Sequence, residues 1–140
     1  MLDLIEYAIK EHDWTFSRLD GSMNIQKRKQ QIDAFKEKEE ITILLMSLKA
    51  GGLGLNLIEA NNVFLLDPWW NPAAEEQAID RVHRVGQTKD VHVIRFTIQN
   101  SVEDRILALQ EKKRKLAEGA LRKSEIAMKL TVDDLVDLFS

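Results

Sequence analysis

The sequence predicts an α/β fold in which a mostly parallel sheet is flanked by helices. Three observations carry that expectation. Ile41–Met46 and Val63–Leu66 are continuous apolar runs without polar alternation, the pattern of strands buried on both faces. Helical apolar spacing fills the intervals between strand candidates, which gives a strand–helix–strand rhythm. The length of 140 residues suits one domain, or a piece of a larger one.

Taken in order, Leu2, Ile5 and Ile9 recur at helical spacing, so the chain opens in a helix. Trp14–Leu19 is a short strand candidate, and Asp20-Gly21-Ser22 has turn chemistry. Asn24 caps a second helix whose buried face is expected to be Ile25, Ile32 and Phe35, with Lys27, Arg28 and Lys29 opposite. Glu37–Glu40 reads as a solvated connection before the strand Ile41–Met46. After the strand Val63–Leu66, Asn71 is a cap, Pro72 holds the first helical position and Gly86 is the stop. Glu75 and Glu76 lie near that helix's positive end. Val91–Ile98 is a fourth strand. Ser101 with Asp104 opens a long helix in capping-box style, and Thr131–Phe139 is a short terminal helix.

Composition excludes several functions. Hydrophobic residues make up 44% and charged residues 31%, and the net charge of −3 means that any nucleic-acid contact is a local patch. Without cysteine there is no disulfide framework, thiolate zinc site or thiol nucleophile in these residues. No apolar run approaches the roughly 20 residues of a membrane span, and the N-terminal residues lack the basic region of a signal peptide. His12, His83 and His92 lack metal-ligand spacing.

Three constellations carry possible chemistry. Ser47-Leu48-Lys49-Ala50-Gly51-Gly52-Leu53-Gly54 follows directly on a strand, where parallel sheets bind ligands. Three glycines in four positions let backbone N–H groups approach an anion, and Ser47 and Lys49 add a hydroxyl and a charge. The loop is neither a P-loop nor a dinucleotide fingerprint, and a tight turn with a solvated lysine is the other reading. In the second constellation, Ala78, Val82 and Val85 form a core-facing stripe on the helix, and Gln77, Arg81 and Arg84 form its neighbour. Two guanidiniums one turn apart make an anion clamp. The alternative is a solvated face with pairs such as Gln77–Arg81 and Asp80–Arg84. The third is Asp67-Pro68-Trp69-Trp70-Asn71-Pro72, where adjacent tryptophans are costly to expose and at least one packs or lies at an interface. Asp67 reads either as a functional carboxylate at a strand end or as a turn carboxylate.

In order and spacing, these motifs resemble the second RecA-like lobe of the Swi/Snf-type helicase-like ATPases, from about residue 2 to residue 116. The carrying segments are Leu-Asp-Gly-Ser, Ser-Leu-Lys-Ala-Gly-Gly-Leu-Gly-Leu-Asn-Leu, Asp-Pro-Trp-Trp-Asn-Pro and Asp-Arg-Val-His-Arg-Val-Gly-Gln. The doubled tryptophan and the segment Asn100–Arg114 are similar to the DNA-repair branch of that family, whose members often carry a RING finger. The resemblance implies a lobe over residues 1–116 and a helical C-terminal brace over 117–140. It implies an ATP site shared with a first lobe that brings the phosphate lysine and the magnesium carboxylates. Arg81 and Arg84 would be arginine fingers, Gln77 would order their helix and touch the nucleotide, and Gly52 and Gly54 would approach it by backbone. Ser47 and Lys49 would touch phosphates of the tracked strand, and Trp70 would lie near the DNA groove. Duplex DNA, the first lobe, and nucleosomes or repair proteins are the implied partners, and the nucleus is the implied location.

The family's lobe begins with a strand before the first helix, whereas these residues open in the helix. The expectation is a sheet short of one strand, apolar faces left exposed, poor folding of the 140 residues alone and no turnover without the first lobe. An ATPase-inactive module that binds DNA or protein through Trp69–Trp70 and the basic stretch Lys112-Lys113-Arg114-Lys115 of the long helix is the competing reading, and a strand-separating helicase of a neighbouring family is a third.

Overall fold

The computed structural model describes residues 1–50 and 54–120. In chain order the elements are α1 (Leu2–Glu11), β1 (Phe16–Leu19), α2 (Ile25–Glu37), β2 (Ile43–Met46), β3 (Asn62–Leu65), α3 (Pro72–Ile79), β4 (His92–Arg95) and α4 (Val102–Ala120). β1 pairs with β2 in parallel, Phe16 opposite Ile43, and β3 pairs with β4 in parallel, Asn62 opposite His92. Each pair is closed by a helix, so the fold is α/β as expected and consists of two strand–helix–strand units. Among the described residues no ladder joins β2 to β3.

The helix starts follow from local chemistry. Asn24 Oδ1 accepts from the backbone N–H of Lys27 at 2.9 Å, and Asn71 Oδ1 accepts from that of Ala73 at 3.2 Å, with Pro72 at the first helical position. Ser101 Oγ accepts from Glu103 N at 3.1 Å while Asp104 Oδ2 accepts from Ser101 N at 3.3 Å, the reciprocal arrangement of a capping box. α4 then runs unbroken past residue 116, where the lobe was divided from its brace. The expected helix Thr131–Phe139 and Gly52 lie outside the described residues.

The core is small. Ile9, Leu19, Leu45, Ala50, Leu57, Leu65, Val82 and Leu109 are the buried apolar residues among those described. Leu19 and Leu45 sit in the first sheet pair, with α2 packed on β1. Three expectations fail here. Ile25 is 84% exposed, because it is the first residue of α2 and its side chain leans back over the preceding turn, beyond the packed face. Val63–Leu66 is not buried on both faces: Phe64 is exposed, only Leu65 is buried, and β4 is exposed throughout. With two separate two-stranded pairs, an apolar run has one covered face rather than two. Phe64 and Phe96 lie side by side on the open surface, ring centres 6.2 Å apart.

The third failure matters for function. α3 ends at Ile79, and residues 80–86 are turns rather than helix. Val82 is buried but Val85 is 97% exposed, so the expected apolar stripe stops short. The cause is competition for carbonyls. A continuing helix would spend the carbonyls of Arg81 and Val82 on the N–H groups of Val85 and Gly86. Here Leu57 N donates to Arg81 O at 2.8 Å, and the Gln87 side chain donates to Val82 O at 3.3 Å.

An ion cluster fastens α1 to the end of β1. Arg18 Nη1 meets Asp3 Oδ1 at 2.6 Å and Glu6 Oε2 at 2.5 Å, and its Nε meets Asp20 Oδ2 at 2.9 Å. Hydrogen bonds from Lys10 and then Arg18 lower the Glu6 pKa, and those from Ser22 and then Arg18 lower that of Asp20. The same carboxylates raise that of Arg18.

Candidate functional site

After Ile79 the chain turns back under itself and opens a concavity of about 420 Å³ lined by Gln77, Asp80, Arg81, His83, Arg84 and Val85. The structure therefore brings Gln77, Arg81 and Arg84 together, although by a turn and not by one helical stripe. Arg81 is half-buried, and its Nε is buried without a hydrogen-bond partner. Arg84 is exposed, and its Nη1 reaches Leu55 O at 3.5 Å, the limit of a hydrogen bond. Neither the Gln77–Arg81 nor the Asp80–Arg84 pairing forms. Two guanidiniums thus face a concave surface with donors to spare, an arrangement suited to a polyanion.

This turn is laced to the segment after the glycine-rich loop. Besides the bond from Leu57 N to Arg81 O, Gln87 Nε2 donates to Ala60 O at 2.8 Å and Ile58 O at 3.1 Å. Gln87 N closes the turn onto Arg84 O at 2.9 Å. Gly86 adopts φ +103°, and a Cβ there would meet Ile58 Cδ1 at 3.3 Å, so the close approach and the backbone both require glycine. The arginine turn and the segment 57–60 are consequently one unit.

The loop is anchored upstream too. Ala50 is buried, its N–H reaches Ser47 Oγ at 3.3 Å, and its carbonyl accepts from Arg28 Nη2 at 2.8 Å. Ser47 is half-buried and Lys49 exposed. Gly54 is exposed with φ +64° and open space around it. The sequence placed Arg28 on a solvated face. It is instead half-buried on the side of α2 that reaches the loop, and no local pattern marks a partner 22 positions away.

The tryptophans form a second locus at the other end of α3. Trp69 is 38% exposed and Trp70 is half-buried, with ring centres 6.2 Å apart. Lys113 of α4 holds its ammonium 5.0 Å from the centre of the Trp70 ring. Beneath them Glu75 is buried and accepts from Trp69 N at 2.7 Å, Gln110 Nε2 at 2.8 Å and Arg95 Nη2 at 2.6 Å. Asp67 is exposed. Sequence reasoning read Glu75 only as a helix-end charge and gave Gln87 and Gln110 no role. Its one available signal was the carboxylate in the first turn of α3.

Fold and site define a parallel α/β lobe whose arginine turn is laced to the segment that follows a glycine-rich sequence. The chain belongs to the family described as the helicase conserved C-terminal domain, which it matches over residues 1–86, and is a RecA-like C-terminal lobe of the Swi/Snf type. It is 52% identical to the helicase-like transcription factor CHR28 of Arabidopsis thaliana, across 99% of this chain and 14% of that protein. It is 45% identical to the DNA repair protein RAD5A of Arabidopsis thaliana, across 99% of this chain and 13% of that one. Among solved structures it is similar to the C-terminal part of the Fun30 ATPase domain, with a TM-score of 0.76 and 38% identity over 96% of this chain and 38% of that one. The chain spans about one seventh of the curated relatives it matches.

Proposed function

We propose that this chain is the second motor lobe of a DNA-dependent ATPase that translocates on duplex DNA, in chromatin remodelling or DNA repair. One observation carries the reading: a concavity of about 420 Å³ lined by Gln77, Arg81 and Arg84, with the Arg84 guanidinium exposed. A polyphosphate would supply acceptors for these guanidiniums. ATP with Mg²⁺ is the cofactor, and its magnesium ligands belong to the first lobe. When bound, it supplies the phosphoryl group whose charge spreads during transfer. Arg84 reaches toward the terminal phosphate as the principal finger, and Arg81, tied through its carbonyl to Leu57, is the second. Gln77 lines the same concavity and would touch the nucleotide, and Gly52 and Gly54 would approach it by backbone.

Ser47 and Lys49 contact phosphates of the tracked strand, and Trp70 lies by the DNA groove. The arginine turn is laced to the segment that follows the loop, so closure of the interlobe cleft would move the DNA grip with the nucleotide grip. The first lobe, duplex DNA, and nucleosomes or repair proteins are the partners, in the nucleus.

The test is ATP turnover by the full-length polypeptide, with and without duplex DNA, for the wild type and Arg84→Ala. A finger contributes about a thousandfold or more to turnover, so Arg84→Ala should abolish stimulated turnover while ATP still binds. Unchanged turnover would return Arg84 to a structural role, and a wild type without DNA-stimulated turnover would make the ATPase-inactive binding module the better reading.

A further inference from the structure

The arginine turn lies beyond one end of α3 and the tryptophan loop precedes the other. At the loop end, a buried hydrogen-bonded ring encloses Trp69. Its N–H is held by Glu75 Oε1 at 2.7 Å, and its carbonyl accepts from Gln110 Nε2, which also donates to Glu75 Oε1 at 2.8 Å. Both backbone groups of one loop residue are thus clamped, one by α3 and the other by α4. The Glu75 side chain is only 2% exposed, and Gln110 is 5% exposed. A carboxylate this buried is costly unless its lone pairs are filled, and here three donors fill them. One turn beyond Gln110, Lys113 steadies the neighbouring indole of Trp70. The outer partner, Arg95, bonds the other carboxylate oxygen, Oε2, at 2.6 Å and lies outside the ring.

We propose that Glu75, through this ring with Gln110, is a positioning residue that fixes the Trp69–Trp70 loop for contact with duplex DNA. The inference rests on the motor-lobe reading above and names the part that sets DNA affinity. Glu75 and Gln110 are buried, so they act on the loop and not on DNA directly. The ring removes the freedom of the loop before binding, so the cost of ordering the two indoles is met in the fold and not at the encounter. A ring serving stability alone would make every partner of the buried carboxylate matter equally, Arg95 included. A ring serving position makes the members that hold Trp69 matter more than Arg95.

Four variants of the full-length polypeptide separate these cases: Glu75→Ala, Gln110→Leu, Arg95→Met and Lys113→Met. Two quantities are read, duplex-DNA affinity by fluorescence anisotropy and ATP turnover across a DNA titration. Glu75→Ala and Gln110→Leu should weaken DNA affinity and raise the half-stimulating DNA concentration about tenfold, with turnover at saturating DNA within about twofold of wild type. Arg95→Met should leave both within about twofold. If Glu75→Ala and Gln110→Leu fail to fold, Lys113→Met reads the same loop from the Trp70 side, with a shift of about threefold expected. Equal effects of Arg95→Met and Gln110→Leu, a loss confined to saturated turnover, or unchanged DNA affinity in every folded variant would overturn the proposal. The wild type in the same assays keeps the two readings apart: absence of DNA-stimulated turnover would sink the motor reading, while anisotropy still reports on the loop.

Discussion

Gln87 is the residue whose replacement most directly tests the lacing of the arginine turn to the segment after the glycine-rich loop. Its Nε2 donates at 2.8 Å to Ala60 O, at 3.1 Å to Ile58 O and at 3.3 Å to Val82 O. Leucine fills nearly the same volume and removes all three donations. A buried or half-buried hydrogen bond contributes about 0.5–1.5 kcal/mol net, so two good bonds and one weak one amount to about 1.5–3 kcal/mol of local stability. At about 1.4 kcal/mol per decade, amide exchange of the segments 55–60 and 81–89 should quicken about 10- to 150-fold in Gln87→Leu. Hydrogen exchange read by mass spectrometry on the full-length polypeptide checks this, with β1 as the unaffected reference. Gln87→Glu should be worse at neutral pH, since it sets a carboxylate against three carbonyl oxygens. Part of that excess should vanish below about pH 5, where the protonated acid regains a donor. Unchanged protection in Gln87→Leu, or a loss spread evenly over the chain, would refute the lacing.

Gly86→Ala attacks the same turn through the backbone. The φ of +103° and the 3.3 Å approach to Ile58 Cδ1 predict a loss of about 1–3 kcal/mol, seen as faster exchange in the same two segments and reduced ATP turnover. Acid sensitivity has a different source. The pKa values of Glu6 and Asp20 are lowered in the folded chain, so the folded state binds fewer protons than the unfolded one. Their contribution is therefore present above the ordinary carboxylate range and is lost as pH falls below about 4. Arg18→Ala should flatten that acid limb in denaturation curves taken between about pH 2 and 6, by a small amount because these groups lie at the surface. An unaltered limb would show that the Arg18 cluster does not set it.

What the sequence made legible was local. Asn24, Asn71 and the Ser101–Asp104 pair announce helix starts through contacts two or three residues away, and each forms in the structure. The strand–helix–strand rhythm was equally readable, since period and branching set it. The extent of α3 was not. Nothing near Arg81 says that its carbonyl is taken by Leu57, 24 positions earlier, so the apolar spacing of Val82 and Val85 suggested a helix that the loop in fact interrupts. The site followed the same division. Arg81 and Arg84 stood out as a pair of cations in a motif. Gln87, Arg28, Glu75 and Gln110 act on partners up to 41 positions away, and neutral or singly charged side chains give no periodic signal at that range.

The placement of the arginines also explains why their loss should be severe. Phosphates are commonly held at helix N-termini, where free N–H groups and the dipole favour an anion even without side-chain charge. The concavity here sits beyond the C-terminal end of α3, where the dipole opposes an anion, and Asp80 adds a carboxylate to its lining. On the motor-lobe proposal, binding of a phosphate there would depend on the guanidiniums rather than on helix backbone. Arg81 is half-buried, whereas Arg84 is exposed and held by a single 3.5 Å contact, so Arg84 is the group that would move onto a transferring phosphoryl. Arg84→Lys should consequently rescue little: the lysine keeps a charge but loses the planar fork that gives two bonds to one phosphate. Turnover of Arg84→Lys close to wild type would mean that charge alone suffices and that the fork geometry plays no part.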